Sequence, residues 1–386
     1  MLPQVLPPHP VMVDDDLRMF CDSAERFFTR AAPPERRAKW RADKRVERDF
    51  WREVGEAGFL GLPFPEEYGG AGLDYRYEVA LMDLVSRMDL NFPYSGQDPV
   101  ICRYVLAHGT EEQKRRWLPR MAKGDLVAAI AMSEPGAGSD LQSIRTSAKR
   151  DGNEYVINGA KMFISNGQIA DWILVACKTD AEAGSRGISL IAVETDLVEG
   201  FRRGRTLDKV GLDAQDTSEL FFEDVRVPVD NLLGGVEGQG FVQLMQELPR
   251  ERMSIAIDAV ATMERAISET IEYVRQRKVF GKTLGDFQNT QFKLAECKTL
   301  AAAAKVFTYD CIAKQLDGTL DNPTSAMAKL FTSETAGKVV DECMQLHGGY
   351  GYVNDYPIAR MYRDSRIFRI FGGSSEVMKM IIARTL

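Results

Sequence analysis

Two stretches of this sequence carry residue types that could do chemistry. Residues 131–140, AMSEPGAGSD, follow the apolar run LVAAI and combine glycines, hydroxyls and free backbone N–H groups in a tight turn. Such a turn lets a flat ring or a phosphate approach the main chain closely. It is not a dinucleotide fingerprint, because GxGxxG opens a long helix and here β-patterned sequence follows. Alone, the segment also reads as an ordinary Gly-rich β-turn. The second stretch, QELPRERM, sets Glu247 and Glu251 four residues apart, on one face of a helix, where either carboxylate could take a proton. Spacing does not separate the two, and Glu251 also suits the first turn of a helix opened by Pro249.

Other chemistries find little support. The six cysteines are widely spaced without a CxxC and the three histidines lie far apart, so neither a disulfide framework nor a metal site is expected. A formal net charge of −7 opposes nucleic-acid binding, and an anionic ligand must meet a local basic site. No apolar run reaches membrane-spanning length, and the first residues lack the pattern of a secretory signal. A reducing compartment is expected: cytoplasm for a bacterial chain, mitochondrial matrix for a processed eukaryotic one.

These residues need positioning elements, and 386 residues exceed what one core of roughly 250 to 300 residues holds. Helical patterning with Gly/Pro breaks such as LPFPEEYGGAG predicts an N-terminal α-helical domain over 1–125. Short β-branched and aromatic runs (DWILVACKT, GISLIAVET, SELFFEDVRVP), with Asn-Gly turns in EYVINGAKMFISNG, predict an antiparallel β-domain over 126–235. From 236 to 386 the helical period returns. Val260, Met263, Ile267, Ile271 and Val274 form one apolar face, as in a helical bundle.

The run from Met132 to Asp140 resembles the first signature of the acyl-CoA dehydrogenase family. A second signature stands at Gln345-Leu346-His347-Gly348-Gly349-Tyr350-Gly351, followed by Tyr356, Pro357, Arg360 and Arg363. HGTEEQKRRWLP, KMFISNG, DTSELFFEDVRVP and RQRKVFGK extend the likeness over nearly the whole chain, and within the family the long-chain branch is most similar. The resemblance implies mixed α and β architecture: a helical N-terminal domain, a β-barrel middle domain and a C-terminal four-helix bundle, usually in a homotetramer. It also implies FAD, an acyl-CoA substrate and an electron-transfer flavoprotein as acceptor.

Carried over by position, the resemblance places Ile130, Ala131, Met132, Ser133 and Ser139 against the flavin and its pyrophosphate. Phe163, Ile164 and Ser165 should cover the isoalloxazine. Many relatives have Trp at Phe163, so the aromatic face stays and the indole N–H is lost; without the motif, Phe163 would read as core. Arg277, Phe280, Gln288, Gln345, Gly348 and Gly349 would complete the site from a neighbouring subunit, and Ser374 and Glu376 should also bind the cofactor. Arg277 otherwise reads as a solvated cation after a helix. Ser139, Gly187, Ile188, Val242, Pro249, Arg250, Arg252 and Gly372 map to the acyl-CoA side, although GISLIAV would be a core strand under any reading.

One departure matters. Many short- and medium-chain relatives carry their catalytic base as the Glu of a Tyr-Glu-Gly-Thr segment, and here that segment reads Phe371-Gly372-Gly373-Ser374. The long-chain and isovaleryl branches also have Gly there and a Glu on a bundle helix, which matches Glu251. A base need only reach the Cα proton while Cβ faces flavin N5. The family's thioester oxygen is held by the backbone N–H at position 372 and a ribityl hydroxyl, and Gly372 keeps that N–H. The expected reaction converts a fatty acyl-CoA, long-chain by the closest likeness, to the trans-2-enoyl-CoA. Gly372 should also leave room beside the acyl Cα. The alternatives are an isovaleryl or other branched-acyl dehydrogenase, a flavin oxidase, and a flavin scaffold without dehydrogenase activity.

Overall fold

A computed structural model describes residues 5–386. Helices come first: α1 (Asp15–Ala31), α2 (Pro34–Asp43), α3 (Arg48–Glu56), α4 (Tyr75–Arg87), α5 (Tyr94–Gly96), α6 (Arg103–His108) and α7 (Glu111–Ala122). Their shared core is aromatic, with Phe28, Trp40, Phe50 and Trp51 fully buried. A π-helix, Gln97–Cys102, joins α5 to α6. Pro99 lies inside it and has no N–H for a regular ladder, which accounts for the wider turn. Gln97 then ties this segment to the sheet, donating to the Leu126 carbonyl and accepting from the Ala128 N–H.

Seven strands follow: β1 (Ala128–Ala131), β2 (Ser147–Asp151), β3 (Glu154–Ser165), β4 (Trp172–Lys178), β5 (Ile188–Glu194), β6 (Phe201–Thr206) and β7 (Thr217–Pro228). They form one sheet in the order β1-β4-β2-β3-β7-β6, with β5 also on β4. Pairing is antiparallel except that β1 runs parallel to β4 and a single β2–β4 bridge is parallel. Asn158-Gly159 is not the turn its dipeptide suggests. It lies inside β3 at a register shift, where a Cβ on Gly159 would sit 2.4 Å from Thr146 Oγ1. Gly152-Asn153 makes the β2–β3 hairpin instead.

The last third is helical: α8 (Gly240–Gln276), α9 (Gln288–Leu316), α10 (Asn322–His347), α11 (Pro357–Ser365) and α12 (Ser375–Ala383), with the small hairpin β8 (Lys278–Val279) and β9 (Lys282–Thr283) after α8. Val260, Met263 and Ile267 are buried with Cys297, Ala301, Val339 and Cys343, as the helical period requires, and Ile271 packs against them. Pro249 lies inside α8 and does not open it, so Glu251 is a mid-helix residue.

Candidate active site

The Gly-rich loop leaves β1 and is held from below. Lys161, buried on β3, donates to the Met132 carbonyl at 3.0 Å and to Glu134 at 2.9 Å, and Glu134 also accepts from the Arg145 and Thr146 N–H groups. Burial works to raise the Glu134 pKa, but the Lys161 charge and these donors leave it lowered. A Cβ on Gly136 or Gly138 would meet nothing within 4 Å, so the anchored loop presents open backbone. The Met162 N–H donates to the Ser133 carbonyl at 2.9 Å, which brings β3 alongside.

At that point β3 bulges, between Lys161 and Ile164. Phe163 has φ +62° and is 62% exposed. A bulky residue held in left-handed backbone with its ring uncovered is costly unless something covers it. Open backbone donors, hydroxyls at Ser133, Ser139 and Ser165, and this bare ring together suit a flat, phosphate-bearing group. Ile164 is a correction. Its side chain is buried in the sheet core, so only its backbone can face such a group.

The carboxylate pair on α8 is resolved by its partners. Glu247 accepts from His108 Nε2 at 3.0 Å and pairs with Arg103 at 3.4 Å, at the two ends of α6. Among the described residues, Glu251 has no ion-pair partner. It accepts one hydrogen bond, 2.6 Å long, from the Tyr104 hydroxyl. Desolvation pushes its pKa up to about 7, with Glu247 adding to the rise and Tyr104 and Arg252 opposing it. A buried carboxyl without a cation, titrating near neutrality, is what a general base requires. Glu376 differs: it is exposed in the first turn of α12, where backbone and Ser374 donors hold its pKa below the usual value.

Gly372 lies against Ile255, which stands one helical turn after Glu251 on α8. It has φ +61°, and a Cβ there would sit 2.3 Å from Ile255 Cδ1, four residues after Glu251. The expected extra room beside Gly372 is therefore filled by Ile255. The adjoining Gly373 carbonyl accepts from Lys329 Nζ at 2.6 Å. Desolvation, reinforced by Arg252, lowers the Lys329 pKa to about 8.

Several expected ligands are committed elsewhere. Arg250 pairs with the fully buried Glu78 and lies over the Tyr75 ring at 4.1 Å, so it ties α8 to α4 instead of facing Glu251. Arg252 donates to Asn322. Gly187 and Ile188 are buried; a Cβ on Gly187 would meet the Asp180 carbonyl, and Ile188 is core. Ile130 and Ala131 pack inward on β1. Val242 is exposed near the start of α8, and Pro249 is half-buried within it.

The remaining set gathers at the far end of α8. Arg277 caps the helix with its guanidinium 5.3 Å from the Tyr350 ring centroid, while Gln345 is exposed in the last turn of α10 and Gly348 and Gly349 on the turn just beyond it. Phe280 is 95% exposed, and Gln288 is exposed at the start of α9. The 26 steps from Glu251 to Arg277 span about 39 Å of helix at about 1.5 Å each. The chain thus does not bring the two groups together.

Tyr104 and Lys329 carried no signal in the sequence. A tyrosine or lysine inside a helical stretch reads as core or surface.

Comparison with known proteins decides the family. Residues 14–125, 129–225 and 238–386 match the models of the acyl-CoA dehydrogenase N-terminal, middle and C-terminal domains. The chain belongs to the acyl-CoA dehydrogenase family. Like other members it is an FAD-dependent oxidoreductase, and the loop and bare ring described above fit that cofactor. It is 43% identical to the long-chain specific acyl-CoA dehydrogenase, mitochondrial, of Sus scrofa, over 95% of this chain and 86% of that one. It is 37% identical to the isovaleryl-CoA dehydrogenase, mitochondrial, of Oryza sativa subsp. japonica, over 97% and 92%. The crystal structure of acyl-CoA dehydrogenase from Geobacillus kaustophilus superposes with a TM-score of 0.93 at 44% identity, covering 97% of this chain and 98% of that chain.

Proposed function

We propose that this acyl-CoA dehydrogenase oxidises straight fatty acyl-CoA to trans-2-enoyl-CoA, with Glu251 taking the Cα proton. The observation that carries this reading is the contrast on α8: Glu247 is held by Arg103 and His108, whereas Glu251 is buried with, among the described residues, only a Tyr104 hydroxyl. Bound FAD supplies the acceptor for the hydride from Cβ. The Gly372 N–H serves as donor to the thioester oxygen, making the Cα proton more acidic. Lys329, holding the next carbonyl, keeps that donor in place. Ser133, Ser139 and the bulged Phe163 take one end of the cofactor.

Arg277, Gln345, Gly348 and Gly349 would complete a second copy's site, since about 39 Å of helix separates them from Glu251. Apolar side chains exposed along α9 and α10, among them Phe292, Val306, Met327 and Phe331, support a homotetramer. Electron-transfer flavoprotein is the acceptor that the family likeness favours.

Long-chain preference rests on the similarity to the Sus scrofa enzyme; the Oryza relative keeps the branched-chain reading in play. Anaerobic bleaching of the flavin by acyl-CoAs from C4 to C18, with isovaleryl-CoA included, separates them. Chains of about C10 or longer should bleach it faster than butyryl-CoA. A highest kcat/KM for isovaleryl-CoA or butyryl-CoA would refute the preference.

A further inference from the structure

Two turns beyond Glu251 on the same face of α8 stands a second carboxyl that, among the described residues, has no paired cation. Glu251, Ile255 and Asp258 are spaced i, i+4, i+7 and so form one stripe. The segment carrying Tyr104 runs antiparallel beside it: Tyr104 donates to Glu251, and Ser95, from α5, donates to Asp258 at 3.3 and 3.5 Å. Ser86, at the end of α4, donates to the same carboxyl at 2.9 Å. Asp83 is the other charge that acts on it and is paired with Arg87 at 2.8 Å, while Lys305 is taken by Glu264. Among the described residues, the two serines are the whole hydrogen-bonding environment of Asp258.

The trio borders open space. Ser86, Ser95, Gly96 and Asp258 are only half-buried, and a Cβ on Gly96 would meet nothing within 4 Å. Yet desolvation pushes the Asp258 pKa up to about 7. Such a group is costly against a purely apolar occupant, which would leave its second oxygen with one long bond.

We infer that Ser86, Ser95 and Asp258 form a polar subsite for the distal end of the acyl chain, accepting a substrate that carries a hydroxyl group there. This rests on the reading of Glu251 as the base with the chain lying along α8. Seven helical residues advance about 10 Å, which at roughly 1.3 Å per single bond is about eight bonds beyond Cα, so the hydroxyl falls near C10. A hydroxyl both donates to the carboxyl and accepts from a serine, and it fits either protonation state. A distal carboxylate would face Asp258 as a like charge.

The test is anaerobic flavin bleaching of the holoenzyme by decanoyl-, 10-hydroxydecanoyl-, 10-aminodecanoyl- and ω-carboxydecanoyl-CoA, with butyryl-CoA reporting the catalytic end alone. The hydroxy substrate should exceed decanoyl-CoA in kcat/KM by about tenfold, the worth of one net hydrogen bond. That ratio should fall to one or below in Asp258→Leu and several-fold in the milder Ser95→Ala, with FAD content checking the fold of each. Decanoyl-CoA equalling the hydroxy substrate, a preference for the amino or carboxy chain, or a ratio that neither variant moves would overturn the subsite while leaving the dehydrogenase reading intact. Failure of every straight chain, butyryl-CoA included, to bleach the flavin would overturn both.

Discussion

Tyr104 donates its hydroxyl to Glu251 across 2.6 Å, from a helix 147 residues earlier in the chain. The bond favours the charged form of a carboxyl that burial otherwise holds neutral, and the balance sets the Glu251 pKa at about 7. A base must be deprotonated to act, so flavin reduction by acyl-CoA should rise with pH through about 7. Tyr104→Phe removes a lowering influence. Its profile should move to higher pH, with a several-fold loss at pH 7 that is largely recovered about two units higher. A profile unchanged in the variant would exclude Tyr104 from tuning the base.

The sign for stability is opposite to that for activity. Glu251 has a folded pKa above its ordinary value of 4.5, so its contribution is fully present below that value and is lost as pH rises through about 7. In Glu251→Gln, thermal stability measured from pH 5 to 8 should decline less steeply with pH than in the parent protein. Parallel curves would contradict the raised pKa.

Arg250 and Glu78 make a buried pair between the bundle and the N-terminal helices. Breaking such a pair by removing one partner costs about 3 to 5 kcal/mol, because the other charge is left buried. Arg250→Ala should therefore destabilise strongly, and the double change Arg250→Met with Glu78→Gln should recover most of the loss. If Arg250→Ala leaves the unfolding transition in place and only raises KM, the arginine is a substrate ligand after all.

Much of this architecture was legible in the sequence, and the exceptions have physical reasons. The apolar stripe of α8 could be read directly because burial follows the helical period. The two carboxylates could not be separated by spacing, since what distinguishes them is the company of α6, and no local pattern announces that company. Arg250 was misassigned for the same reason: its partner lies 172 residues away. Asn158-Gly159 has turn chemistry, but the strand runs on, and Gly159 serves the close approach of Thr146.

Gly372 offers a test of the site's shape. In Glu251→Gln, placing a carboxylate at Gly372→Glu should recover little, because Ile255 fills that space and φ +61° strains any side chain by roughly 1 to 3 kcal/mol. Adding Ile255→Ala should raise the recovered rate of flavin reduction. Full recovery without the change at Ile255 would show that the loop moves freely.

Single-turnover bleaching of the flavin by decanoyl-CoA under anaerobic conditions, in Glu251→Gln and Glu247→Gln side by side, tests the central claim most directly. Glu251→Gln should remain yellow, folded and able to bind acyl-CoA, yet reduce its flavin at least ~10²-fold more slowly, within the range that loss of a general base costs. Glu247→Gln should lose much less. Near-normal reduction by Glu251→Gln would contradict the assignment and move attention to Glu247 or Glu376.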